Sequence, residues 1–147
     1  MKARDYAYRL ISYRQRSVKE LSARLQRKGY SAQLTNQTVE YLRELNYLND
    51  AEFARFWVSS KIAAHPAGWL LMRYQLKIKG IDQKIIEQTI NDFSDQYDEL
   101  EIARGLVRKR RRRYKDLQPL KLKKRLYDLL RRRGFPGEII YQVIKQD

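Results

Sequence analysis

The sequence predicts an all-α protein of three tandem three-helix repeats. Three observations carry this. A glycine-centred motif recurs three times, apolar residues at spacings of three and four flank every copy, and no segment alternates with period two for long enough to make a strand. The copies are LSARLQRKGY at 21–30, MRYQLKIKGI at 72–81 and LYDLLRRRGF at 126–135, with glycines 51 and 54 residues apart. Each has an apolar residue eight before the glycine (Leu21, Met72, Leu126) and leucine four before it (Leu25, Leu76, Leu130). Each also has a basic residue just before the glycine (Lys28, Lys79, Arg133) and Tyr30, Ile81 or Phe135 just after. Positions −8 and −4 share a helical face, and the basic side chain meets the negative end of the helix dipole. The glycine supplies the left-handed residue that stops the helix.

The elements follow in order. In a first unit, residues 1–48, Tyr6, Leu10 and Tyr13 mark a helix face, and Ser17 with Glu20 makes a capping box that opens the first motif helix. Val39, Leu42 and Leu45 mark the helix after it. The second unit, 49–94, opens with Asn49 and Glu52 in a similar cap, followed by Phe53, Phe56 and Trp57. Asp82 is placed to cap the segment containing Ile85, Ile86 and Ile90. In the third unit, 95–147, Leu100, Ala103, Val107 and Tyr114 form a stripe with Leu106 beside it. Pro119 suits the first turn of a helix carrying Leu122, Leu126, Leu129 and Leu130, and Ile139, Ile140, Val143 and Ile144 mark the last. About nine helices result.

Charge is distributed unevenly over this frame. The chain has 147 residues and a formal charge of +15. Residues 1–50 carry 10 basic and 5 acidic groups, residues 51–98 carry 6 and 6, and residues 99–147 carry 16 and 6. A field polarised towards the last third favours a polyanionic partner, nucleic acid before an anionic membrane. The densest stretch, RKRRRRYKDLQPLKLKKR at 108–125, would be a sticky tail if disordered. The stripe of Leu100, Ala103, Val107 and Tyr114 instead makes it two helical surfaces joined by a turn, with Arg108, Lys109, Arg111, Arg112 and Arg113 mostly turned away from the apolar face.

Other chemistries are disfavoured. Cysteine is absent, so there are no disulfides or thiolates, which agrees with a reducing cytoplasm. The start, MKARDYAYRL, lacks the apolar stretch of a signal peptide. The uncharged run around the centre, 62–72, is too short to span a bilayer and contains Pro66 and Gly68. A soluble cytoplasmic monomer is expected. His65, the single histidine, precedes Pro66 in a predicted turn and has no nucleophile or metal-ligand cluster beside it. The acids Asp92, Asp95, Asp98, Glu99 and Glu101 read as charge complementing a helix N-terminus rather than a metal site. No phosphate loop and no catalytic constellation is present, so neither enzyme activity, cofactor nor metal is expected. Of eleven tyrosines, Tyr6, Tyr13, Tyr41, Tyr47, Tyr127 and Tyr141 fall on or near apolar stripes and read as core. Tyr74 and Tyr114, flanked by basic residues, are the candidates for stacking on bases.

The chain also resembles the RecX family, regulators of the RecA recombinase. The resemblance rests on RQRSVKELSARLQRKGY in the first unit, YLNDAEFARFWVSSK opening the second, Gly68 followed by QLKIKGI closing it, and LRRRGF near the end. It implies an elongated, curved helical array and a role: binding along the groove of a RecA filament on single-stranded DNA and inhibiting or dismantling that filament. The basic surface, read from charge, supplies the candidate contacts with single-stranded and, more weakly, duplex DNA or the filament: Arg73, Lys77, Lys79, Arg108, Lys109, Arg111, Arg112, Arg113, Lys115, Lys121, Lys123, Lys124, Arg125, Arg131 and Arg132. Charge by itself fits equally well a nucleic-acid-binding module without sequence preference.

Overall fold

A computed structural model describes residues 2–145. Among them are nine α-helices and no strand. They are α1 (Ala3–Tyr13), α2 (Val18–Lys28), α3 (Ala32–Glu44), α4 (Asp50–Ala64), α5 (Trp69–Ile78), α6 (Gln83–Ser94), α7 (Glu99–Arg113), α8 (Pro119–Arg132) and α9 (Gly137–Lys145).

The recurring motif closes α2, α5 and α8 in the same way. Gly29, Gly80 and Gly134 have φ of 113°, 83° and 85°. In each case the glycine N–H donates to the carbonyl three residues back, at 2.9–3.0 Å, and the next N–H donates to the carbonyl five back, at 3.1–3.2 Å. This is the paired 5→2 and 6→1 arrangement that satisfies otherwise orphaned carbonyls. Leu21, Leu25, Met72, Leu76, Leu126 and Leu130 are all completely buried. A fourth copy ends α3, with Asn46 at φ 60° in the glycine's place. Its N–H reaches Arg43 O, and the Tyr47 N–H reaches Leu42 O, both at 2.9 Å.

Start signals are equally concrete. Ser17 Oγ accepts from the Glu20 N–H while the Glu20 carboxylate accepts from the Ser17 N–H, both at 3.1 Å. Asn49 Oδ1 accepts from the Glu52 N–H at 3.1 Å, and Asp82 Oδ2 accepts from the Lys84 N–H at 3.2 Å. Pro119 is the first residue of α8.

The helices pack as two units, Met1–Trp57 with Leu76–Thr89 and Val58–Gln75 with Ile90–Asp147. In the first, Ala7 and Leu10 of α1 meet Leu21, Leu25, Val39, Leu42 and Leu48. The start of α2 is fastened to the end of α5 there. Ser17 Oγ donates to Lys79 O at 2.7 Å, and Lys19 Nζ donates to Ile78 O at 3.2 Å. In the second unit, Ala103 and Val107 of α7 pack with Leu126, Leu130, Phe135, Ile140 and Val143. There the start of α5 meets the end of α8: the Gly68 N–H donates to Arg133 O at 2.7 Å and the Leu70 N–H to Gly134 O at 3.2 Å. The approach leaves no room for a side chain, because a Cβ on Gly68 would run into the Gly134 carbonyl.

Several apolar residues read as core lie outside it. Tyr13 is 84% exposed and Phe56 55%, and Leu45, Tyr47, Tyr127 and Tyr141 are also exposed, while Tyr6 and Tyr41 are half-buried. A spacing of three or four keeps a residue near a stripe but not at its centre, and a tyrosine at the edge keeps its phenol in water. Conversely, Tyr97 was given no role by periodicity and is buried, with its hydroxyl donating to Ala67 O at 2.6 Å and accepting from the Ala67 N–H at 3.0 Å.

Candidate nucleic-acid interface

The stretch 108–125 forms the second half of α7, a turn, and the first half of α8. Ala103 and Val107 anchor α7, and Leu126, Leu129 and Leu130 anchor α8. The remaining circumference of each helix is left to cations. Arg108, Lys109, Arg112 and Arg113 are exposed on α7, Lys115 in the turn, and Lys121, Lys123, Lys124, Arg125, Arg131 and Arg132 on α8. Arg111 differs, being half-buried with its Nε shielded from solvent. Periodicity turned it towards water, yet it lies four residues after Val107 and so beside the core stripe.

Tyr114 ends α7 and sits between two of these cations. The guanidinium of Arg125 is 5.3 Å from its ring centre and that of Arg110 6.0 Å, and Arg110 Nη1 donates to its hydroxyl at 3.4 Å. Hydrogen bonds from Arg110 and then Arg125 hold its phenol below the ordinary tyrosine range. An aromatic ring engaged this way positions arginines. Tyr74 is 63% exposed on α5 and lines a groove of about 450 Å³ in the second unit with Tyr127, Arg131, Arg132 and Pro136. The Tyr127 hydroxyl accepts from Arg131 Nη1 at 3.0 Å. Two aromatic faces and two guanidiniums thus share one groove; Tyr127, read from the sequence as core, and Arg110, part of the basic run but not singled out in it, join the site. Their signal was present, since each is the i−4 neighbour of a residue already singled out, Arg131 and Tyr114.

The remaining predicted residues are placed differently. Arg73 is half-buried on α5. Lys77 and Lys79 belong to the first unit, where Lys77 is exposed and Lys79 Nζ pairs with Glu20 at 3.5 Å. Glu20 also accepts from Arg14 at 3.0 Å. Of the acids near α7, Asp98 caps that helix, its Oδ1 accepting from the Leu100 and Glu101 N–H groups, whereas Glu99 accepts from the Trp69 N–H at the start of α5 at 2.9 Å and Glu101 pairs with Arg104 at 2.6 Å. Among the described residues no group of three metal-binding side chains occurs, and no helix is long and apolar enough to cross a membrane.

Three-helix units in tandem, with exposed cations gathered on the last, define a basic helical-repeat protein. Three family models match in order: the first three-helix domain of RecX over residues 3–42, the second over 49–90 and the third over 97–144. The chain belongs to the RecX family. It is 31% identical over 146 residues to a regulatory protein RecX of Amycolatopsis mediterranei, covering 99% of this chain and 83% of that one. A Bacillus pumilus regulatory protein RecX is 33% identical over 136 residues, 92% of this chain, which spans only 51% of that longer protein. The crystal structure of RecX from Lactobacillus salivarius superposes with a TM-score of 0.83 at 23% identity, over 99% of this chain and 94% of that one, and supports the fold.

Proposed function

We propose that this protein regulates a RecA-type recombinase by binding its filament on single-stranded DNA and inhibiting it, without catalysing a reaction itself. Membership of a family of regulatory proteins across all three units carries the reading. The exposed basic residues of α7 and α8 would neutralise phosphates, which gives affinity with little sequence preference. The groove of Tyr74, Tyr127, Arg131 and Arg132 would favour single strands, whose bases are free to stack. Such binding would occur in the cytoplasm and modulate recombination and repair.

The test is the ATPase activity of preassembled filaments as this protein is titrated in. Inhibition is expected when the protein is far scarcer than the DNA sites, because repeats in tandem can engage more than one subunit at once. Reversing charge at the exposed Lys121, Lys124 and Arg125 should raise the inhibitory concentration at least tenfold with helical content unchanged. If inhibition appears only when the protein coats the DNA, and equally with an unrelated strand-binding protein, the plain nucleic-acid-binding module is the correct reading.

A further inference from the structure

One concavity of the second unit borders the exposed face, sharing Lys109 and Arg113 with it, and is lined by four cations. It measures about 290 Å³ and is bordered by Lys109, Arg110 and Arg113 of α7 and by Arg133 just after α8. His65, in the turn after α4, completes the ring, and no acid lines it. We propose that this concavity is a binding site for a compact polyphosphate, such as the triphosphate tail of a nucleotide. This inference does not rest on the recombinase reading.

The geometry of α7 gathers the charges. Lys109 and Arg110 lie three and four residues after Leu106, and Arg113 four and three after them, so one face of the helix starts apolar and becomes a wall of cations. Like charges at that spacing repel one another. The negative end of the α7 dipole offsets about half of one charge, against four. Two of the cations are held in place by neutral oxygens, which orient them and leave their charge uncompensated. Arg133 Nη1 donates to Pro66 O at 3.0 Å, and Arg110 Nη1 to the Tyr114 hydroxyl at 3.4 Å. Leu106 and Leu129 contribute apolar wall, and a cationic cleft with low-dielectric walls concentrates the field on whatever anion enters.

Size and charge density select the ligand. Small-molecule sites run from about 300 Å³ upward, so this one lies at the compact end. A DNA strand brings one charge per phosphate at each step, whereas a triphosphate brings three or more to one place and so matches several convergent guanidiniums.

His65 lines the site and is the chain's only histidine, so its two ring C–H resonances report occupancy without assignment. ATP and inorganic tripolyphosphate should shift them saturably at submillimolar concentration, and adenosine should not. Lys109→Gln combined with Arg113→Gln, both exposed positions, should weaken the apparent affinity at least tenfold with an unchanged far-ultraviolet spectrum. Lys84→Gln, which removes one positive charge on α6 outside the site, should leave it unaltered. Three results would overturn the proposal. One is tripolyphosphate leaving His65 unmoved while an oligodeoxynucleotide without terminal phosphates shifts it, which would assign the site to backbone phosphates. Another is the same response to sodium chloride of equal ionic strength. The third is undiminished affinity in the double variant.

Discussion

Gly29 and Gly134 end equivalent helices with the same left-handed backbone, yet their replacement should cost very different amounts. A Cβ on Gly29 meets nothing within 4 Å, whereas one on Gly134 would collide with the backbone of Leu71. Gly29→Ala should therefore cost only the left-handed strain, about 1 kcal/mol. Gly134→Ala adds overpacking against a main chain that cannot rotate away, for a total of about 3 kcal/mol or more. Urea midpoints of the two variants check this difference. Glu20 makes a second prediction, in pH. Burial pushes its carboxyl upward, but bonds from Arg14 and the Ser17 N–H and the nearby Lys79 outweigh burial and hold it below the ordinary value. A depressed folded value means that its contribution is present above about pH 4.3 and lost as the pH falls through the folded value. Glu20→Gln should accordingly lower stability at neutral pH and flatten the acid limb of the stability profile, measured by thermal melts from pH 3 to 7.

At the scale of elements, the glycine endings and most caps were legible because each needs only a few residues at fixed offsets. The ending of α3 was not, although it has the same two hydrogen bonds, because Asn46 replaces glycine. Thr38 and Leu42, eight and four before it, are buried as the motif requires. Asn46→Gly should leave stability unchanged or improve it slightly, and Asn46→Val should cost about 1–2 kcal/mol, since a β-branched residue resists positive φ. Chemical denaturation of both variants decides this. The basic helices α7 and α8 were also legible, their apolar stripes outweighing the charge run as a signal. The tyrosines were not, because spacing gives a residue's angle around its helix and says nothing of which neighbour covers it. Tyr127 therefore read as core and stands in a groove, and Tyr97, which fastens the turn before α5, carried no signal at all. The polyphosphate concavity lay equally hidden, because Arg133 and His65 reach it from segments distant in sequence.

For the whole molecule, the uneven charge sets how binding responds to salt. Each neutralised phosphate contributes about 0.7–0.9 to the slope of log affinity against log salt. Replacing the exposed Arg112, Lys124 and Arg131 with glutamine should reduce that slope by about 2–3 on single-stranded DNA, measured by fluorescence anisotropy. The same triplet change at Arg4, Arg9 and Lys84, exposed residues of the first unit, should reduce it less.

The meeting of α5 with α8 also has a consequence for the order in which the protein can be made. The Gly68 and Leu70 N–H groups find their acceptors in Arg133 and Gly134, some 65 residues later in the chain. At about 5–20 residues per second, a ribosome takes roughly 3–13 seconds to cover that distance. Tyr97 and Glu99, made earlier, can already engage Ala67 and the Trp69 N–H, but until α8 is complete the Gly68 and Leu70 N–H groups have only water and Leu71 lacks the Gly134 backbone to pack on. The start of α5 is thus fastened in two stages, first to Tyr97 and Glu99 and then, once α8 has been synthesised, to Arg133 and Gly134.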